Sequence, residues 1–112
     1  LVLVHSLCKR SDFKAAALKG KKLFSPSFIL QVLKDQPSAG VSVGITASRK
    51  VGNAVARNRA KRRLRVIIRL FAKDAPQEGI HCVLVARREV LTVPFQSLCE
   101  EAKKAFAWAY GI

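Results

Sequence analysis

The spacing of hydrophobic positions changes several times along the chain, and each change predicts an element. From Leu7 to Leu18, Phe13, Ala16 and Ala17 share one side at helical spacing. Ser11 or Asp12 is placed to cap that helix and Gly20 to end it. Lys21 to Phe24 reads as a short edge strand entering a turn at Ser25-Pro26. Phe28 to Lys34 alternates with a period of two: Phe28, Leu30 and Val32 face one way, and Ile29, Gln31 and Leu33 the other. Pro37, Ser38 and Gly40 mark the next turn. Val41 to Ala47 then alternates again, with Val41, Val43, Ile45 and Ala47 opposed by Ser42, Gly44 and Thr46. That second set is small and polar. By pattern alone it reads first as a solvated sheet face and second as a floor for a ligand.

From about Asn53 to Lys73 the period lengthens to that of a helix. Gly52-Asn53 fits the cap; Ala56, Ala60, Leu64, Ile67 and Phe71 form an apolar stripe; Asp74, Pro76 and Gly79 close the segment. Ile80 to Ala86 is almost continuously apolar, as a central strand should be. Thr92 and Pro94 open a last helix reaching Tyr110, with Phe95, Leu98, Cys99, Ala102 and Phe106 as its buried stripe. The order is helix, two or three strands, helix, strand, helix, forming one domain over residues 1–112. Strand, long helix, strand is the grammar of a parallel crossover.

Charge changes this picture most in the middle of the chain. The 112 residues carry a formal net charge of +14, and none of the seven acidic residues lies between Gln36 and Lys73. Ser48 to Arg69 alone holds nine basic residues. On a helical projection Asn58, Lys61, Arg62, Arg65 and Arg69 lie opposite the apolar stripe, with Arg57 and Arg59 at its flanks and Arg63 near the packing edge. Solvated helices usually mix signs, because like charges one turn apart repel. A folded face of one sign fits a polyanion, and arginine's planar fork suits phosphate and bases. A membrane-surface helix needs large apolar side chains opposite the charge, whereas the front half of this stripe is alanine.

Other chemistry is thin. Cys8, Cys82 and Cys99 have unrelated spacings, resemble no zinc site, and read as free thiols. His5 and His81 are isolated and read as structural. The acids are scattered, so neither a carboxylate cluster for Mg²⁺ nor an acid–base pair is spelled out. No catalytic residue and no metal ligand is therefore assigned. No apolar run approaches a membrane span, and Leu1 to Val4 is too short for a signal-peptide core and lacks a basic flank; a soluble, cytoplasmic protein is expected.

The run from Ser48 to Arg65, SRKVGNAVARNRAKRRLR, closely resembles the signature of the bacterial ribonuclease P protein subunit. At its heart are Arg57-Asn58-Arg59, then Lys61-Arg62 and Leu64-Arg65. Leu7 to Phe13 resembles that family's first-helix pattern and Val43-Gly44-Ile45 its strand, so the likeness spans essentially the whole chain. The resemblance implies an α+β sandwich of order αβββαβα, with about four strands in a mixed sheet and a left-handed βαβ crossover around the basic helix, against the usual hand. It implies a catalytic RNA partner that, with Mg²⁺ held mainly by RNA, removes the 5′ leader of precursor tRNA, and no required protein partner. It implies RNA contacts from the basic helix and the loop before it: Arg49, Lys50, Asn53, Arg57, Asn58, Arg59, Lys61, Arg62, Arg65 and Arg69. It also implies a leader-binding cleft between the first helix and the small-residue sheet face: Lys9, Arg10, Phe13, Lys14, Gln31, Ser42, Gly44 and Thr46. The rival reading is a ribosomal or other structural RNA-binding protein, which fits size and charge equally and lacks only the motif.

Two departures from the family pattern bear on that cleft. A second aromatic is common four residues after the first-helix Phe, where this chain has Ala17. Another is common on the cleft side of the second strand, where it has Gln31. Of three stacking groups only Phe13 remains, so leader binding is expected to lean on charge and hydrogen bonds and to be salt-sensitive.

Overall fold

The apolar run Ile80–Ala86 occupies the position its composition demands, the middle of the sheet. The computed structural model describes residues 4–7, 9–37, 40–74 and 79–112. Among these, five strands form one mixed sheet: β1 (Val4–Ser6), β2 (Lys21–Phe24), β3 (Phe28–Leu33), β4 (Val41–Thr46) and β5 (Ile80–Ala86). Their spatial order is β1-β4-β5-β3-β2. Strands β1, β4 and β5 are mutually parallel neighbours, whereas β3 runs antiparallel to both β5 and β2. The helices are α1 (Arg10–Lys19), α2 (Ala54–Phe71) and α3 (Phe95–Gly111), with 3₁₀ turns at Ala72–Asp74 and Arg88–Leu91. Helix α2 is thus the crossover between parallel β4 and β5, as the strand–helix–strand order predicted.

One sheet face carries the main core. Phe28, Leu30 and Val32 of β3, Val41 and Val43 of β4, and Ile80, Cys82 and Leu84 of β5 are buried there against Ala60, Leu64 and Ile67 of α2 and Leu98, Ala102 and Phe106 of α3. Each large apolar side chain removed from water contributes about 1.5–3 kcal/mol. The Asn53 side chain caps α2, its Oδ1 accepting from the Ala56 N–H at 2.9 Å. At the other end the Tyr110 hydroxyl donates to the Ala72 carbonyl, tying α3 to the exit of α2.

The other face meets α1. Leu7, Ala16 and Val83 are buried together there, with Phe13 and Val85 packed beside them. This overturns the solvated reading of the small polar face: Ser42 and Gly44 lie beneath protein, not water. The pattern was ambiguous because small residues suit a close-approaching helix as well as they suit solvent. Gly44 shows why. A Cβ built on it would stand 2.4 Å from the Phe13 ring, so only glycine lets that ring approach the strand this closely.

Three further expectations are corrected. A fifth strand, β1, precedes the first helix; three residues are too few for alternation to be visible, and pairing with β4 is what makes them a strand. Helix α1 begins at Arg10 rather than Leu7. Leu7 instead continues the extended segment, its N–H donating to Val43 O at 3.0 Å, and the cap position falls to Lys9, not Ser11 or Asp12. Asp12 sits in the first turn, where a negative charge suits the helix dipole. In α3, Pro94 is the cap residue and Phe95 is largely exposed, because the stripe meets the sheet only from Leu98 onward. The turn expected at Ser38 and the closing Pro76, like Cys8, fall outside the described residues.

Candidate nucleic-acid interface

Helix α2 separates its two jobs by angle. Its buried stripe holds Ala60, Leu64 and Ile67, and its opposite surface exposes Asn58, Arg62, Arg65 and Arg69. Arg59 is exposed on one flank, while Arg57 and Lys61 are half-buried on the other. Arg49, Lys50 and Asn53, in the loop entering the helix, are also exposed. Gly52 makes that entry at φ 149°, where a Cβ would come within 2.8 Å of Ala56. Arg63 differs from its neighbours: its guanidinium donates to the Val90 carbonyl at 2.7 Å and pins α2 to the turn before α3.

The Lys61 flank faces the end of β1, where Ser6 and Leu7 line the same recess. A pocket of about 580 Å³ lies there, walled by Lys61, Arg65 and Arg69 of α2 and Lys73 of the 3₁₀ turn after it, and reaching Phe13 and Gly44 on the far side. The basic face of α2 is therefore continuous, around the edge of β4, with the face that carries α1.

On that second face, strand register sorts the residues into rows across the sheet. One row is Ser42–His81–Leu33, the next Gly44–Val83–Gln31–Lys22, and the third Thr46–Val85–Ile29–Phe24. Helix α1 covers the second row, where Val83 is 1 % and Gln31 9 % exposed. The third row is more open: Thr46, Val85 and Ile29 are half-buried and Phe24 is exposed. With Ala16 turned to the sheet, helical spacing puts Phe13 beside it and Ala17 and Arg10 on the flank toward this third row, while Lys14, about 160° from Ala16, points outward and is exposed. Asp12 and Lys9 fall on the other side, where they line a separate recess with Ser42 and His81. The result is a groove with α1 as one wall and the third row as its floor.

The structure thus sets Arg10 and Phe13 toward the row of Thr46 and leaves Lys14 exposed on the outer side of α1. It places Gly44 under the Phe13 ring, buries Gln31 and Ser42, and sets Lys9 on the far side of the helix. Sequence reasoning missed Phe24 and Arg87 on this face. Arg87 follows Ala86 in extended backbone and donates to the Ser25 carbonyl at 3.1 Å. The residues of the turn between β2 and β3 are held by Glu101 of α3, whose carboxylate accepts from the Ser27 N–H at 2.8 Å and from the hydroxyls of Ser27 and Ser25.

Reactive side chains are few near these surfaces. Burial pushes the Cys82 thiol up to about 12, despite the nearby Lys34 charge, so it stays protonated inside the core. Cys99 is half-buried and free. Among the described residues no three His, Cys, Asp or Glu side chains are grouped as a metal ion would require. Nor is any described helix long and apolar enough to cross a membrane.

Comparison with known proteins agrees with this architecture. The chain is similar to the ribonuclease P protein component of Gluconacetobacter diazotrophicus, 42 % identical over 83 residues that cover 74 % of this chain and 72 % of that one. It is 36 % identical over 102 residues to the same component of Symbiobacterium thermophilum, covering 91 % and 88 % of the two chains. In three dimensions it resembles the RNase P protein of Thermotoga maritima, with a TM-score of 0.76, 27 % identity and coverage of 91 % and 94 %. The RNase P protein of Staphylococcus aureus shares the fold, with a TM-score of 0.78 at 22 % identity and coverage of 94 % of both chains. The Ribonuclease P family model matches residues 3–110, and the chain belongs to that family.

Proposed function

We propose that this chain is the accessory, non-catalytic subunit of a ribonuclease P whose catalyst is RNA, and that it acts in the cytoplasm. The exposed face of α2 binds the catalytic RNA. The groove beside α1 holds the single-stranded 5′ leader of precursor tRNA, and the pocket between them lets the two RNAs approach across one positive surface. The observation that carries this reading is the exposed α2 face, where Asn58, Arg62, Arg65 and Arg69 stand clear of the core with no acidic residue on the helix.

The protein's task on this reading is electrostatic. Catalytic RNA and substrate are both polyanions. A rigid array of cations neutralises phosphates on each and releases their counterions, so affinity falls with salt by about 0.7–0.9 log units per contact for each tenfold rise. Arginine adds bidentate hydrogen bonds that fix register as well as charge. Mg²⁺ is assigned to the RNA and the substrate, because the described residues offer no clustered oxygen donors for it. Cleavage of precursor tRNA by protein alone, RNA subunit alone and both together, at low Mg²⁺, tests the reading. Activity appearing only with both supports it; 5′ cleavage by the protein alone overturns it.

A further inference from the structure

Phe24 is an aromatic side chain left 67 % exposed near the end of a basic groove. Its direction is fixed by register. It pairs with Ile29 and lies on the α1 face, two residues from Lys22, which pairs with Gln31 on the same face. Arg87, one step past Ala86, falls on this face by alternation, and its guanidinium binds the carbonyl of Ser25, the residue after Phe24. One cation therefore precedes the ring along the strand and another follows it. The site is also rigid: Ser25 N–H donates to Phe28 O at 2.9 Å, and Glu101 fastens Ser25 and Ser27 from behind.

We propose that Phe24, flanked by Lys22 and Arg87, is a second stacking site for single-stranded RNA, taking one unpaired base on its ring and neighbouring phosphates on the two cations. This rests on the leader-binding reading of the groove and extends it to the β2 edge. An exposed ring between positive charges is the arrangement that sequence-tolerant single-strand binders use. The spacing suits a short stretch of leader. Gly44, beneath Phe13, and Phe24 are three strands and one row apart, about 16 Å from strand spacings of about 4.8 Å and a row of about 7 Å. A single strand of about four or more nucleotides occupies such a track. The site also revises the aromatic count, because the stacking absent at Ala17 and Gln31 is supplied by a residue from a different strand.

The test is binding of the full chain to fluorescein-labelled oligouridylates of two and eight nucleotides at fixed ionic strength. In wild type the octamer binds more tightly than the dinucleotide. Phe24→Ala should shrink that gain by at least about fivefold. Phe24→Trp should preserve it, with indole emission quenched by the octamer beyond the background of Trp108. An Arg10→Ala, Lys14→Ala double variant reports on the charge that α1 carries beside the groove. If that double variant weakens octamer binding while Phe24→Ala leaves the gain unchanged, the Phe24 site is wrong and the groove stands. If neither change alters octamer binding, the leader-binding reading fails and takes this inference with it. Phe24 is surface-exposed, so its loss leaves the fold intact as a control for both outcomes.

Discussion

Helix α2 and the groove beside α1 present positive charge in different ways. In α2 the cations stand on one continuous helix, and their direction follows from 3.6 residues per turn. In the groove they come from α1, β2 and the residue after β5, and meet only because strand register and the seating of α1 align them. A continuous helix makes a surface that one segment specifies. A groove made of rows depends on every strand keeping register, so its function is exposed to mutations far from it. The comparison predicts that core and turn changes damage the groove first, while the α2 face loses function without losing structure.

The largest structural effect is expected at Glu101. Its carboxylate accepts three hydrogen bonds from Ser25 and Ser27 and is the anchor behind Phe24. Glu101→Ala should cost about 3 kcal/mol, since bonds to charged acceptors carry about 1.5–3 kcal/mol each and part of that loss is recovered by water. Urea unfolding measures it. A change below about 0.5 kcal/mol would mean that the backbone bonds of the turn and the Arg87 contact with the Ser25 carbonyl hold it without Glu101.

Gly44→Ala comes next. The added Cβ meets the Phe13 ring, so either the ring or α1 must shift, at a cost of about 1–3 kcal/mol. Because Phe13 is also a groove wall, the same variant should weaken octamer binding while leaving α2-dependent binding of a structured RNA unchanged. Equal loss of both would show that the two surfaces are one cooperative unit.

These sites also mark how far the chain could be read in advance. The α2 face was legible because charge, apolar spacing and cap lie on one segment: Asn53 caps where expected, and Ala60, Leu64 and Ile67 bury as spaced. The central place of Ile80–Ala86 was legible for the same reason. Strand β1 was not, since three residues become a strand only by pairing with β4. The groove was half legible. Phe13, Arg10 and Lys14 are neighbours on one helix, but Phe24 and Arg87 look like an edge residue and a loop residue until the Phe24–Ile29–Val85 row and the Arg87–Ser25 bond bring them together. Register joins residues that are distant in sequence, and no local pattern reports it.

The exposed face of α2 gives the third prediction. Replacing Arg62, Arg65 and Arg69 together by Gln removes three exposed cations from a surface that does no packing. If each meets one phosphate, the salt slope of RNA binding falls by about 2.1–2.7, a loss of salt sensitivity of roughly 20- to 40-fold between 50 and 200 mM. The unfolding midpoint should hold or rise slightly, since like-charge repulsion along the helix is relieved. A collapse in stability would show that the basic face has a structural duty and would erase the contrast with the groove.

The finest test sets two adjacent arginines against each other. Arg62 is exposed, whereas Arg63 is half-buried and donates to Val90 O at 2.7 Å. Composition cannot distinguish them, and both belong to the same basic run. The one-residue rotation of about 100° separates an exposed cation from a brace between α2 and the turn before α3. Arg62→Ala should lower the salt slope by about one contact's worth and leave stability within about 0.5 kcal/mol. Arg63→Ala should reverse the pattern: about 1 kcal/mol of stability lost with the Val90 carbonyl left unpaired, and an unchanged slope. A double-mutant comparison should be additive, because the two side chains share no partner. If Arg63→Ala alters the slope as Arg62→Ala does, the boundary between the two jobs of α2 is broader than its geometry implies.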